Sequence, residues 1–227
     1  MDAAKHLLRY VKKTSHLGLR LGPFAGKDLY PILYSDADWA GDLDTRKSTG
    51  GYVCVLTEER SPGEESKRSA VSWSSKRQQT VALSSTEAEY MALTQAAKEA
   101  IWVSRFIAEL QGLLASTENR LGTDNPDNPE DPEDPANDTS TPSRTSASAP
   151  ATKIYVDNQG AIALARNPEF HARTKHIAIQ EHYVREKITN GDVELEYLHT
   201  GDMIADCLTK NLSREKVDRF RAEMGLH

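Results

Sequence analysis

"LYPILYSDADWAGDLD", residues 29–44, decides how the rest of the chain is read: an apolar run stops, and Asp36, Asp38, Asp42 and Asp44 follow within nine positions. An apolar run of this density, bounded by turn residues, predicts a strand. The acids after it can belong to a solvated turn, a calcium loop or the rim of a catalytic site. With Asp36 in first place, Asp38 and Gly41 fit the third and sixth positions of a calcium loop. Ala40 then stands fifth and Lys47 twelfth, where a bidentate Glu is required, so the calcium reading fails. Asp42 and Asp44 follow Gly41, precede "TRK", and read as solvated turn acids. Asp36 ends the strand and shares a face with Ile32 and Tyr34 by two-residue alternation; Asp38 has the same parity, so parity alone leaves the two unseparated.

Working outward, "GGYVCVL" and "SAVSWSS" are two further strands, which suit an antiparallel meander with the first. The charged, Pro/Gly-punctuated link "TEERSPGEESKR" reads as a long exposed hairpin loop. "SSTEAEYMALTQAAKEAIWVSRFIAEL" is a long helix, expected to stop at Gly112. Further on, "TKIYVD" is a strand, "NQGAIALAR" a short helix, "TKHIAIQEHYVREKITNG" a helix, and "DVELEYL" a strand. "GDMIADCLTKNL" and "SREKVDRFRAEM" supply closing helices, and residues 1–15 form a separate amphipathic helix. This order predicts an α/β fold, a mixed sheet with helices on its faces.

Between the two halves, residues 116–150 hold eight acids against Arg120 and Arg144, and six of the ten prolines. That segment carries the entire formal charge of −6, leaving the remainder neutral, so the sign of the total does not exclude a nucleic-acid partner. With almost no large apolar residue it cannot offset its ordering entropy, and 113–151 is read as a disordered insertion in one discontinuous domain. Cys54 and Cys207 lie far apart in apolar contexts and read as buried thiols of a reducing compartment. No apolar run is long enough to span a membrane, and the N-terminus lacks a signal peptide's apolar core, so an intracellular, non-secreted protein is expected.

Four acids are placed where burial needs a reason. On the long helix, Glu87 stands three residues after Ser84 in a capping box and heads the polar stripe Thr94, Gln95 and Lys98. Glu89 instead heads Ala92, Leu93, Ala96 and Ala100, the face that would press on a sheet, and a carboxylate there calls for a nearby cation. Asp157 ends a strand and opens a helix, where capping is as good a reading as chemistry. In "GDMIADCLTK", Asp202 is explained as a cap; Asp206, one turn on, again needs a cation. Asp36, Asp157, Glu89 and Asp206 could converge at one end of the sheet, an arrangement suited to two divalent ions about 4 Å apart in phosphodiester cleavage. Magnesium favours such oxygen ligands. His171, His176 and His182 lack zinc-ligand spacing.

"YSDADWAGD", "KSTGGYVCVL", "VSWSSKRQQTVALSSTEAEYMAL", "IYVDNQGAIALARNPEFHARTKHI" and "MIADCLTK", in this order, resemble the ribonuclease H domain of copia-type long-terminal-repeat retrotransposon polyproteins, from about residue 30 to 212. The resemblance implies an RNase H-like fold: a five-stranded mixed sheet, three antiparallel strands then two parallel additions, flanked by helices. It implies an endoribonuclease that hydrolyses the RNA of RNA/DNA hybrids with two Mg²⁺, Mn²⁺ being able to substitute, in a cytoplasmic virus-like particle or the nucleus. Asp36, Glu89, Asp157 and Asp206 match the catalytic, metal-binding acids. Ser84, Ser85, Asn158 and Gln159 match substrate-binding positions, and His199, seven residues before Asp206, is the candidate proton shuttle, at a shorter interval than in many ribonucleases H.

Residues 1–24 resemble the end of the reverse transcriptase region, with 28–227 as the RNase H-like domain, so a reverse transcriptase domain in a parent polyprotein is the implied partner. Two other classes compete. A catalytically inactive retrotransposon remnant would bind hybrid through "SSKR" and "HARTKH" without turnover. A strand-transfer enzyme would carry two Asp and a late Glu, against which the early Glu89 and the late Asp206 speak.

Overall fold

The computed structural model describes residues 2–22, 24, 29–58, 68–121, 150–167 and 175–227. Most of the loop expected at 57–68, all but the rim of the acidic insertion, and "HART" at 171–174 lie outside these residues.

β1 (Leu29–Ala37) is the central strand because its side chains are apolar on both faces: from Pro31 to Ala37 every residue is buried. It pairs antiparallel with β2 (Thr49–Glu58), which pairs antiparallel with β3 (Ser69–Arg77). On its other side β1 runs parallel to β4 (Thr152–Val156), and β4 parallel to β5 (Val193–Tyr197), giving the order β3-β2-β1-β4-β5. This is the five-stranded mixed sheet of the RNase H-like fold, with the three antiparallel strands and two parallel additions that the resemblance implies.

α1 (Asp2–Thr14) precedes the sheet and buries none of its residues; the chain after it is tied to the C-terminus by backbone bonds between Gly18 and His227. α2 (Ser85–Leu121) covers one face with the stripe read from the sequence. Leu93, Ala96, Ala97 and Ala100 are buried there with Leu33, Cys54 and Ile154, and Ala92 with Ala37 at the strand's end. Small side chains let the helix lie close to the strands, and Leu33 and Leu93, fully buried, contribute about 1.5–3 kcal/mol each by transfer from water. Thr94, placed on the polar stripe from spacing, is buried and donates to the Tyr90 carbonyl at 2.9 Å. Gly112 does not stop α2: two leucines and an alanine follow it, the helix runs nine residues further, and the insertion expected from residue 113 opens in helical conformation. One internal glycine costs about 1 kcal/mol, too little to end a helix whose neighbours favour it.

α3 (Gln159–Arg166) and α4 (Lys175–Thr189) complete the α2 side. On the opposite face α5 (Asp206–Thr209) and α6 (Arg214–Glu223) close a second core, in which Phe220, Met203 and Ile204 pack with Ile32, Tyr34 and Val53. The single helix expected over "GDMIADCLTKNL" is instead a 3₁₀ turn at Thr200–Asp202, an extended Met203, and the one-turn α5. Burial explains the break: Met203, Ile204 and Ala205 are all fully buried, which three consecutive residues of one amphipathic helix on the sheet face could not achieve. Cys54 is buried as expected; Cys207 is half-buried, and both are free thiols. Among the described residues no helix is long and apolar enough to cross a membrane.

Candidate active site

The parallel register that sets Ser35 beside Val156 brings the next residues, Asp36 and Asp157, together at the carboxyl ends of β1 and β4. Asp206 reaches the same place from the first turn of α5, and one oxygen from each of the three carboxylates lies within 4.8 Å of the others. Asp36 and Asp206 are buried, Asp157 half-buried.

Glu89 arrives from the α2 face. It is 6% exposed, accepts a hydrogen bond from the Ala37 backbone, and its Oε2 is buried without a partner. Burial, then the charges of Asp36 and Asp157, push its carboxyl up to about 9, so it is protonated at neutral pH. Glu87 is used at the helix start: Ser84 Oγ accepts the Glu87 N–H at 3.2 Å as in a capping box, while Glu87 Oε2 accepts the N–H of Leu83, one residue before the cap, at 2.9 Å.

The capping alternative for Asp157 is resolved by its neighbour. Asn158 is the N-cap of α3, its Oδ1 accepting from the Ala161 N–H at 3.0 Å. Asp157 is left to the cluster and accepts from the Thr200 hydroxyl at 2.8 Å. Asp202 is not a cap: it ends the 3₁₀ turn and pairs with Arg219 at 3.3 Å, while His199 Nδ1 caps the turn by accepting the Gly201 N–H at 3.0 Å. Asp38 turns away to structure the loop, its Oδ1 accepting the Thr49 N–H at 2.6 Å. Asp42 is more than a solvated acid. It accepts from Thr45 and Arg77, and those bonds, Thr45 first, hold its carboxyl well below the usual range.

Sequence reasoning missed the cations. Lys210 Nζ stands 2.8 Å from both Asp36 Oδ1 and Asp206 Oδ1, and Lys216 Nζ is 2.9 Å from Asp206 Oδ2. Thr209 donates its hydroxyl to Asp36 Oδ2. Burial opposes the charge on Lys210, but its bonds to Asp206 and Asp36 outweigh that and hold its pKa above the ordinary lysine value. Burial pushes Asp36 upward, offset in part by bonds from Lys210 and Thr209. The signal for Lys210 was present as the i, i+4 partner of Asp206; Lys216 comes from the next helix and had none.

Gly51 allows α5 to reach the site. It sits opposite Asp36 in the register, and a Cβ on it would lie 3.0 Å from both Leu208 Cβ and Thr209 Cγ2. Gly51→Val should therefore lift α5, weaken the Thr209 and Lys210 contacts to Asp36, and destabilise by about 1–3 kcal/mol. Thermal melting in chelator checks this; an unchanged transition temperature would refute the close approach.

The first turns of α2 and α3 meet beside the acids, where a Cβ on Gly160 would lie 2.9 Å from Thr86 Oγ1. This juxtaposes Ser84 and Ser85 with Asn158 and Gln159, of which all but the half-buried Asn158 are exposed. The carboxylates fit divalent cations: the donor set is all oxygen, and one buried oxygen, Glu89 Oε2, lacks any other partner.

No protein-family model matches the chain. It is 35% identical over its whole length to the retrovirus-related Pol polyprotein from transposon TNT 1-94 of Nicotiana tabacum, covering 13% of that protein. It is 34% identical, again over its whole length, to the corresponding polyprotein of transposon RE1 from Arabidopsis thaliana, covering 12% of it. Among solved structures, the N-terminal RNase H domain of a Mycobacterium tuberculosis protein aligns with 86% of this chain and 98% of its own, at 9% identity and a TM-score of 0.44. The sheet order is that of an RNase H-like fold, and along its whole length the chain is similar to one segment of each of these polyproteins. The chain spans about an eighth of the length of the curated relatives it matches.

Proposed function

We propose that the chain is a divalent-metal-dependent ribonuclease H that hydrolyses the RNA strand of RNA/DNA hybrids during retrotransposon reverse transcription, alongside a reverse transcriptase domain in a parent polyprotein. The carrying observation is the convergence of Asp36, Asp157 and Asp206 within 4.8 Å, with the orphaned Glu89 oxygen arriving from the facing helix. Two Mg²⁺ or Mn²⁺ ions, when bound, supply activation of water and stabilisation of the leaving oxygen. In this reading residues 1–24 are the end of the reverse transcriptase region and 28–227 the RNase H-like domain with its acidic insertion. The setting is intracellular, a virus-like particle or the nucleus.

The protein groups take distinct roles. Asp36, Asp157 and Asp206 would hold the cations, and Glu89, once ionised, would join them. Ser85 and Gln159, exposed on two helix starts that touch, are placed to meet minor-groove 2′-hydroxyls, the groups that distinguish RNA from DNA. Ser84 and Asn158 spend an acceptor on capping but keep hydroxyl and amide donors for the same groove. His199 uses Nδ1 as a cap acceptor, which leaves Nε2 to carry a proton, and its neighbour Thr200 is bonded to Asp157.

The test is cleavage of a labelled RNA strand annealed to DNA, with Mg²⁺, with chelator, and with Asp157→Asn. Cutting that needs both the metal and Asp157 is expected. A folded chain that binds hybrid but never cuts, in Mg²⁺ or in Mn²⁺, would overturn the proposal in favour of an inactive, hybrid-binding remnant.

A further inference from the structure

We infer that Lys210 is the internal counter-ion of the carboxylate set and the group that a divalent cation displaces: its ammonium bridges Asp36 and Asp206, at 2.8 Å from each. The inference rests on the metal-binding reading of these acids and adds a residue to it. Three carboxylates brought together without cations would repel one another and carry unrelieved desolvation. The chain meets this with its own donors. Asp36 is bonded by Lys210 and Thr209, Asp206 by Lys210 and Lys216, and Asp157 by Thr200.

Of the two lysines, Lys210 is the one built to leave. Lys216 is anchored by further partners: its ammonium donates to the Thr200 carbonyl at 3.1 Å and lies 5.3 Å from the centre of the Phe220 ring. Among the described residues the Lys210 ammonium bonds only the two carboxylates. Its side chain is 33% exposed, and it stands just past α5 in extended backbone, so its flexible stem can swing to solvent without unwinding a helix. A cation held by these acids would compete with the Lys210 ammonium for the same oxygens. The lysine thus keeps the acids assembled in the ion-free chain and sets how much Mg²⁺ is needed to load them.

Two measurements test this on the full chain, neither requiring cleavage. In the first, calorimetric Mg²⁺ titration of Lys210→Met should show about tenfold tighter binding than wild type, while in chelator the variant melts lower. Lys210→Gln, which can still hydrogen-bond, serves if the methionine variant does not fold. In the second, acylation of lysines read by mass spectrometry should show Lys210 more reactive when Mg²⁺ is added, with Lys216 unchanged. Mg²⁺ affinity that is equal or weaker in the variants, or Lys210 reactivity that does not move at saturating Mg²⁺, would overturn the displacement while leaving the metal site intact. Absence of Mg²⁺ binding to wild type and variants alike would overturn both this inference and the metal-dependent reading of the site.

Discussion

Asp36→Asn should reduce hybrid cleavage by about 10³-fold or more, the scale on which removing one member of a set that acts as a unit registers, while leaving the fold in place. Asp36 is central to the set: fully buried, within 4.8 Å of Asp157 and Asp206, and close enough to Glu89 to raise its pKa. Asparagine keeps the shape and one acceptor oxygen but not the charge that binds a divalent cation. Removing one partner of a buried ion pair costs about 3–5 kcal/mol when the other is stranded. Here Lys210 is a third exposed and retains Asp206, so the loss should stay near 1–2 kcal/mol. The measurement is single-turnover cleavage beside thermal melting in chelator. Undiminished cleavage would remove Asp36 from the site; collapse of the fold would make it a structural ion pair first.

The sequence carried the sheet well because periodicity and burial agree there. β1, β4 and β5 lie where their apolar runs put them, and the face argument that chose Glu89 over Glu87 rests on a helix pressing small residues onto strands. The C-terminal segment was harder: "GDMIADCLTKNL" has helical spacing, yet tertiary burial of Met203, Ile204 and Ala205 outweighs it and splits the element. Asp157 and Asp38 could not be settled from spacing, since each depended on which neighbour took the capping or loop-closing bond. Asn158 took the first, and Asp38 itself took the second. The need for a cation at Asp206 was legible. That two lysines of the chain meet it was not, because the approach of α6 is a long-range contact with no periodic trace.

Glu89→Gln should stabilise the chain in chelator at neutral pH and remove Glu89's share of the pH dependence expected of metal binding. In the folded chain the Glu89 carboxyl titrates near 9 rather than 4.5, raised by burial first and then by Asp36 and Asp157. Between those values the folded state holds a proton that the unfolded state has released, so wild-type stability falls as pH rises from about 4.5 and levels off above about 9. By pH 7 the loss is on the order of 3 kcal/mol, at about 1.4 kcal/mol per pH unit. Glutamine is neutral throughout and removes this slope, so the difference between the two stability profiles isolates Glu89 from Asp36, whose raised pKa acts with the same sign in both. Divalent ions require the carboxylate, so loading wild type should release about one proton, with affinity rising about tenfold per pH unit below 9. Calorimetry in two buffers of different ionisation enthalpy counts that proton. Parallel stability profiles for wild type and Glu89→Gln, or metal binding without proton release, would mean that Glu89 is already ionised beside Asp36 and that its orphaned oxygen has a partner other than a metal.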